Sequence, residues 1–76
     1  MRELVAFLCR ELVDDPDAVE VTETYDDRGV LLRVRVGDGE LGKVIGRGGR
    51  TAKAIRTVVR TAATRQGTHA SVDFDD

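Results

Sequence analysis

The chain has 76 residues, 34% of them charged, and its formal net charge of -2 would ordinarily count against nucleic-acid binding. A chain of this length buries only about 60% of its unfolded surface, so its core is small and we expect a single domain over residues 1–76. Cys9 is the one cysteine, which excludes an internal disulfide and favours a reducing compartment, and no metal site is indicated. Because Glu3, Arg10 and Glu11 interrupt the N-terminal apolar residues, we expect neither a signal peptide nor a membrane span, and we expect a cytoplasmic protein.

The first predicted element is an amphipathic helix over residues 2 to about 14, ended by Asp15-Pro16. Its apolar residues recur at helical spacing: Met1, Leu4, Val5, Leu8 and Leu12, with Phe7 and Cys9 beside them. Two strands follow, because Val19 and Val21 alternate with polar residues and the segment 30–36 repeats this alternation. The turn residues 26–29, Asp-Asp-Arg-Gly, predict that the two strands pair as an antiparallel hairpin.

Two helices separated by glycines are predicted next. Asp38 is expected to cap a short helix that carries Leu41, Val44 and Ile45 inward and stops at Gly46. The following helix is predicted from about Arg50 to Arg65, and Gly67 ends it. Its core side is expected to hold Ala52, Ile55, Val59 and Ala62, and its opposite side Arg50, Lys53, Arg56 and Arg60. The alternating residues Ala70, Val72 and Phe74 predict a third strand.

The charges are distributed unevenly along the chain. Residues 41–72 contain seven basic and no acidic residues, whereas the rest of the chain contains five basic and fourteen acidic ones. The seven are Lys43, Arg47, Arg50, Lys53, Arg56, Arg60 and Arg65. Contacts within a Debye length of roughly 8 Å depend on the local field, so this segment is a candidate nucleic-acid surface despite the negative net charge. Arg33 and Arg35, in contrast, are expected to face solvent and the acidic residues of the neighbouring strand.

A glycine loop lies within the basic segment, in the sequence Val44-Ile45-Gly46-Arg47-Gly48-Gly49-Arg50. Gly46 and Gly49 remove Cβ atoms where two helix ends meet, which lets main-chain N–H groups approach a phosphate closely. Arg47, Arg50 and Lys53 add positive charge, and the N-terminus of the following helix directs its dipole the same way. We therefore predict that this loop contacts a sugar-phosphate backbone.

An apolar-Ile-Gly-x-x-Gly stretch followed by a basic helix resembles the signature of the KH domain, whose loop contacts about four nucleotides of single-stranded RNA or DNA. With its length and element order, the chain resembles the small bacterial single-KH proteins of the KhpA family. The resemblance implies an α+β, type II KH-like fold in the order helix-strand-strand-helix-helix-strand, with a three-stranded sheet and the helices on one face. It also implies an RNA-binding protein of low sequence specificity, an RNA chaperone or post-transcriptional regulator, that forms a homodimer or pairs with a larger KH-containing protein.

The expected RNA-binding residues are Lys43, Val44, Ile45, Gly46, Arg47, Gly48, Gly49, Arg50 and Lys53. Val44, Ile45 and Val36 are expected to form the floor of an apolar groove for the bases. Gly48 stands at a loop position where a polar or basic side chain is common in KH domains, which leaves Arg47 as the only charged side chain inside the loop. The latter half of the long helix is the expected dimer surface, through Val58, Thr61, Ala62 and Thr64.

Other functions have less support in the sequence. Gly37-Asp38-Gly39-Glu40-Leu41-Gly42 matches a dinucleotide-binding pattern, but the helix behind it has room for only about two turns, and both acidic side chains would repel a phosphate. His69 has no catalytic partner at a recognisable spacing, so no enzyme, cofactor or small-molecule substrate is expected. The main rival is a KH-fold interaction subunit whose partner contacts the RNA, and Arg47 argues against it. A small nucleotide-binding or catalytic domain is the third alternative.

Overall fold

The computed structural model describes residues 1–75, which contain three α-helices and three β-strands. In chain order these are α1 (Arg2–Arg10), β1 (Glu20–Asp26), β2 (Gly29–Arg35), α2 (Leu41–Ile45), α3 (Arg50–Arg65) and β3 (Ala70–Asp75). Short 3-10 turns lie at Pro16–Ala18 and Arg47–Gly49. The predicted α+β class and the predicted order of helices and strands are confirmed.

The sheet has the order β1-β2-β3, with β2 in the centre. β1 and β2 are antiparallel and β3 runs parallel to β2. The predicted hairpin is confirmed: Asp26 pairs with Gly29, and the Asp26 carboxylate accepts hydrogen bonds from the N–H groups of Arg28 at 2.7 Å and Gly29 at 3.1 Å. These bonds close the turn with the local chemistry that Asp provides in turns.

One face of the sheet is buried beneath α1 and α3. The central strand supplies Val30, Leu32 and Val34 to this core, and β3 adds Val72. The opposite face presents Arg33 and Arg35 to solvent, and Arg33 lies 4.0 Å from the Asp73 carboxylate on β3. The expectation that both arginines face solvent is confirmed. The acidic residue that pairs with Arg33 is Asp73, on the neighbouring strand β3.

Helix α1 is shorter than predicted, because it ends at Arg10 and not near residue 14. The chain leaves the helical path at Glu11 and Leu12, where the N–H of Leu12 donates to the carbonyl of Cys9 at 3.1 Å. Beyond this turn, the main-chain N–H groups of Asp14 and Asp15 donate to the carboxylate of Glu40, at 2.6 and 3.3 Å. The buried side chains of α1 are Val5, Ala6 and Cys9, whereas Leu4 is 40% exposed. The expected core positions Leu4 and Leu12 therefore lie largely outside the core. Burial raises the pKa of the Cys9 thiol to about 11, so it remains a protonated core side chain near neutral pH.

Helix α3 has the predicted bounds, and its end is well defined. The N–H of Gly67 donates to Thr64 and the N–H of Thr68 donates to Ala63, which is the paired bonding of a Schellman cap, with Gly67 at a φ of 75°. Its buried residues are Ala52, Ile55, Val59 and Ala63. Ala63 occupies the core position that was predicted for Ala62, and Ala62 is half-buried. Ala63 lies four residues after Val59, about one 3.6-residue turn further along the same side of the helix.

Helix α2 also begins differently from the prediction. Glu40, and not Asp38, stands at its N-cap, and no side chain there bonds to the helix N-terminus. The Glu40 carboxylate is directed towards residues 14 and 15, as described above, which leaves the exposed Asp38 without a capping role. Gly46 ends α2 as predicted, and its N–H donates to the carbonyl of Gly42 at 2.9 Å.

Candidate nucleic-acid interface

The loop between α2 and α3 is built from three glycines with positive φ angles. These are 78° at Gly46, 65° at Gly48 and 77° at Gly49, a backbone region that residues with a Cβ rarely occupy. Gly49 stands at the N-cap of α3, and its N–H donates to the carbonyl of Gly46 at 3.1 Å. Three positive φ angles within four positions let the chain turn between the two helices with its main chain close to the surface.

Gly46 is the position where the loop and α3 approach most closely. A Cβ built at Gly46 would lie 2.2 Å from Oγ1 and 2.9 Å from the main-chain nitrogen of Thr51. A Cβ at Gly48 or Gly49 would have no atom within 4 Å. Gly46 is thus required by close packing as well as by its φ angle, whereas Gly48 and Gly49 lie beside open space in which a ligand can approach the main chain.

Three of the expected cationic side chains surround this loop. Arg47, Arg50 and Lys53 are exposed, and none of them has an ion pair among residues 1–75. Arg50 and Lys53 lie in the first turns of the 16-residue helix α3, at the positive end of its dipole. The loop amides, the helix terminus and these charges form one electropositive surface, which we call the loop surface.

Lys43 differs from these three because it already has carboxylate partners. Its ammonium group contacts the carboxylate of Asp14 and lies 3.4 Å from that of Glu40. The hydrogen bond to Asp14 is the main cause that raises the pKa of Lys43. The three-residue spacing of Glu40 and Lys43 was visible in the sequence. Asp14, 29 residues away, could not be connected with Lys43 from the sequence.

Glu40 is the functional-site neighbour that the sequence did not indicate. It is the one polar or charged residue recorded as buried within residues 1–75, at 7% exposure. Its two carboxylate oxygens accept the main-chain N–H groups of Asp14 and Asp15, so it joins the segment after α1 to the start of α2. Because α2 leads directly into the loop, Glu40 helps to fix where the loop surface lies.

Arg56 also departs from its expected place on the free cationic side of α3. It is half-buried, its Nε donates to the carbonyl oxygen of Val72 at 3.1 Å, and its guanidinium lies 5.2 Å from the centre of the Phe74 ring. The distance is within the range of a cation–π contact. Arg56 therefore joins α3 to β3, and the exposed cationic surface of α3 is smaller than the sequence suggested.

The expected apolar floor of the groove is mostly core. Val44 is 0% exposed and Val36 is 4% exposed, so in this structure neither side chain offers surface to a base. Ile45 is half-buried and is the member of this set with accessible side-chain surface. This corrects the expectation for Val44 and Val36: their burial anchors α2 and the end of β2 beneath the loop.

No group of three or more His, Cys, Asp and Glu side chains within residues 1–75 is arranged to hold a metal ion. Over the same residues, none of the helices combines the length and the apolar character that crossing a bilayer requires.

Comparison with known proteins gives a consistent result. The family model described as KhpA/KhpB, KH domain, matches residues 2–74. A protein from Halalkalibacterium halodurans named RNA-binding protein KhpA is 43% identical over 76 residues, covering 100% of both chains. A protein of the same name from Caldanaerobacter subterraneus subsp. tengcongensis is 46% identical, over 87% of this chain and 88% of its own. Another, from Streptomyces coelicolor, is 45% identical, over 99% of this chain and 95% of its own.

A solved structure shows the same fold at low sequence similarity. The crystal structure of Era from Aquifex aeolicus matches with a TM-score of 0.70 and 16% identity, over 97% of this chain. The match spans only 29% of the Era chain, so the likeness concerns the fold of this part alone. Together with the family model, it confirms the expected type II KH-like fold.

Proposed function

The chain belongs to the KhpA/KhpB family of KH domains, and on this basis we propose that it is an RNA-binding protein that holds the backbone of single-stranded RNA at the loop surface. The observation that carries the proposal is the loop itself. Three glycines with positive φ expose the main chain beside the N-terminus of α3, and Arg47, Arg50 and Lys53 surround it without carboxylate partners among residues 1–75. Such a combination of amides, dipole and cations is suited to phosphate.

We infer a division of roles within the expected site. The N–H groups of residues 46–49 and the guanidinium of Arg47 would hold two phosphates, and Arg50 and Lys53 would extend the contact along the strand. Ile45 would supply apolar surface to a base, whereas Val44 supports the loop from the core because it is fully buried. Lys43 would contribute only after its contact with Asp14 is broken.

Low sequence specificity is part of the proposal. Aromatic stacking contributes about 1–3 kcal/mol per base in many single-strand binders. Here Phe74 lies against Arg56, and neither Phe7 on α1 nor Tyr25 on β1 belongs to the loop or to the helices that flank it. Contacts to phosphate do not distinguish bases, so backbone binding dominates. This behaviour suits an RNA chaperone or post-transcriptional regulator in the cytoplasm. We propose that the protein forms a single KH domain over residues 1–76 and has no enzymatic activity.

A second role, as an interaction subunit, is favoured by exposed apolar side chains on the two long helices. Val58 on α3 is 45% exposed, and Phe7 on α1 is 58% exposed. We propose that α3 pairs with a second copy of the chain, or with a larger KH-containing protein, while the loop surface stays open for RNA. If a partner made all RNA contacts, the chain by itself would bind no RNA, which separates the two roles.

The experiment compares single-stranded RNA with a duplex of the same sequence, at several salt concentrations. We expect the single strand to bind better, because the glycine loop can follow a flexible backbone. If two to four phosphates are neutralised, log K should fall against log salt with a slope of roughly -1.4 to -2.8. A slope near zero, or a duplex that binds better than its separated strands, would contradict the proposal.

A further inference from the structure

The contact between Asp14 and Lys43 places a carboxylate beside α2, the helix that leads into the loop surface. Lys43 lies in α2, three residues before Gly46, so its Cα is about one helical turn from the start of the loop. The side chain of Asp14 is 86% exposed and that of Lys43 is 41% exposed. An ammonium group of the expected RNA-binding set is thus neutralised, at the Glu40 end of α2, by a residue from outside its own helix.

The two carboxylates that face Lys43 are held very differently. Glu40 has a side chain only 9% exposed, and its oxygens accept two main-chain N–H groups, so it cannot leave without exposing unpaired donors. The Asp14 carboxylate has no recorded partner within residues 1–75 other than Lys43. The main chain of Asp14 is fixed by Glu40, which keeps the carboxylate near Lys43 while leaving the side chain free to turn away.

We propose that Asp14 sets the RNA affinity of the loop surface by competing with RNA phosphate for the ammonium group of Lys43. The inference rests on the proposed function, because it concerns a ligand of the same surface. Exposed ion pairs are weak, so a phosphate held by the neighbouring amides and by Arg47 can displace the Asp14 carboxylate. Each binding event then breaks one internal ion pair before Lys43 gains its phosphate, and the affinity is lower than the cations alone would give.

The test is Asp14→Asn, with Asp17→Asn as the matched control. Both changes remove one negative charge from an exposed residue of the same segment, and Asp17 has no recorded ion pair within residues 1–75. The probe is an oligouridine of about eight nucleotides, twice the length that a KH loop contacts. We expect Asp14→Asn to bind roughly two- to fivefold more tightly than Asp17→Asn, the range that corresponds to an exposed ion pair.

The same pair of changes is then made in a Lys43→Met background, which keeps the aliphatic stem and removes the ammonium group. The gain from Asp14→Asn should disappear there. A nuclear magnetic resonance titration without RNA supplies a second readout: the pKa of Lys43 should be lower in Asp14→Asn than in the wild type, since the bond to Asp14 raises it.

The outcomes separate this inference from the proposed function. Equal affinities of Asp14→Asn and Asp17→Asn, in a wild-type protein that binds RNA, would overturn the inference and leave the proposed function standing. A gain that persists in Lys43→Met would also overturn it, because the carboxylate would then act only through the general field. A wild-type protein that binds no RNA by itself would overturn both.

Discussion

At the scale of single residues, the glycines of the loop have different physical roles. The sequence predicted that Gly46 and Gly49 allow close approach where two helices meet. The structure shows that only Gly46 is in close contact, against Thr51, whereas Gly49 needs its left-handed φ but has open space around it. Spacing in the sequence indicates where glycines are needed, but it does not show which neighbouring atom each would meet.

This difference predicts unequal losses of stability in Gly46→Ala and Gly49→Ala. Gly49→Ala places a Cβ in the left-handed αL region, at φ 77° and ψ 12°, which costs about 1–2 kcal/mol. Gly46→Ala places one at φ 78° and ψ 170°, a region that is essentially restricted to glycine and costs about 1–3 kcal/mol. Gly46→Ala adds an overlap with Thr51, and overpacking of this kind costs about 1–3 kcal/mol. The unfolding free energy from urea titration should therefore fall by at least about 1 kcal/mol more in Gly46→Ala. Equal losses of unfolding free energy in the two variants would contradict this prediction.

The charged residues show where sequence reasoning at this scale ends. Arg47, Arg50 and Lys53 are exposed around the loop, as their helical positions indicated. Lys43 and Arg56 are held by internal partners, and those partners lie far away in the chain: Asp14 for Lys43, and Val72 with Phe74 for Arg56. Periodicity locates a residue on one side of its own helix. It does not indicate what another element brings to that side.

At the scale of elements, periodicity was most accurate where a helix is long and its end has its own chemistry. The bounds of α3 were predicted correctly, because its apolar residues continue over four turns and Gly67 supplies a left-handed cap. Helix α1 was predicted too long, because Leu12 continues the apolar spacing, whereas the chain already turns there and the N–H of Leu12 donates to the carbonyl of Cys9.

The exposed surface of α3 carries the prediction about assembly. Val58→Glu places a charge on an apolar residue that is 45% exposed, in the half of α3 that we propose as the dimer surface. Sedimentation at micromolar concentration should show a dimer for the wild type and a monomer for this variant. RNA binding of the variant should be roughly tenfold or more weaker, because two linked sites become one. Thr24→Glu, an exposed threonine on β1, is the control and should remain dimeric. A wild-type protein that sediments only as a monomer would contradict the homodimer.

At the scale of the whole molecule, function depends on where the charges lie and not on their sum. The net charge of -2 conceals a segment, residues 41–72, with basic residues only. The sequence predicted this separation, but it overestimated the free cationic surface, since folding brings Asp14 and Glu40 to Lys43 and Val72 to Arg56. What remains around the loop is a compact surface of amides, a helix terminus and three cations that have no ion pair in the part of the chain that the structure describes. The position of the loop surface, at the junction of α2 and α3, could be predicted from the sequence. The extent of this surface could not, because it depends on contacts between distant parts of the chain.

The central claim is that this loop surface holds RNA phosphate, and the most direct measurement is the RNA affinity of Arg47→Asp/Gly48→Asp beside that of Arg47→Asn/Gly48→Asn. Asp and Asn have the same shape, both tolerate the left-handed φ of position 48, and both positions are exposed, so the two proteins should melt at the same temperature. The Asn variant should keep part of the affinity through the loop amides. The Asp variant should bind at least about tenfold more weakly than the Asn variant, because two carboxylates would lie within a few ångströms of the phosphates. Equal RNA affinities for the two folded variants would contradict the claim and remove the loop from the mechanism.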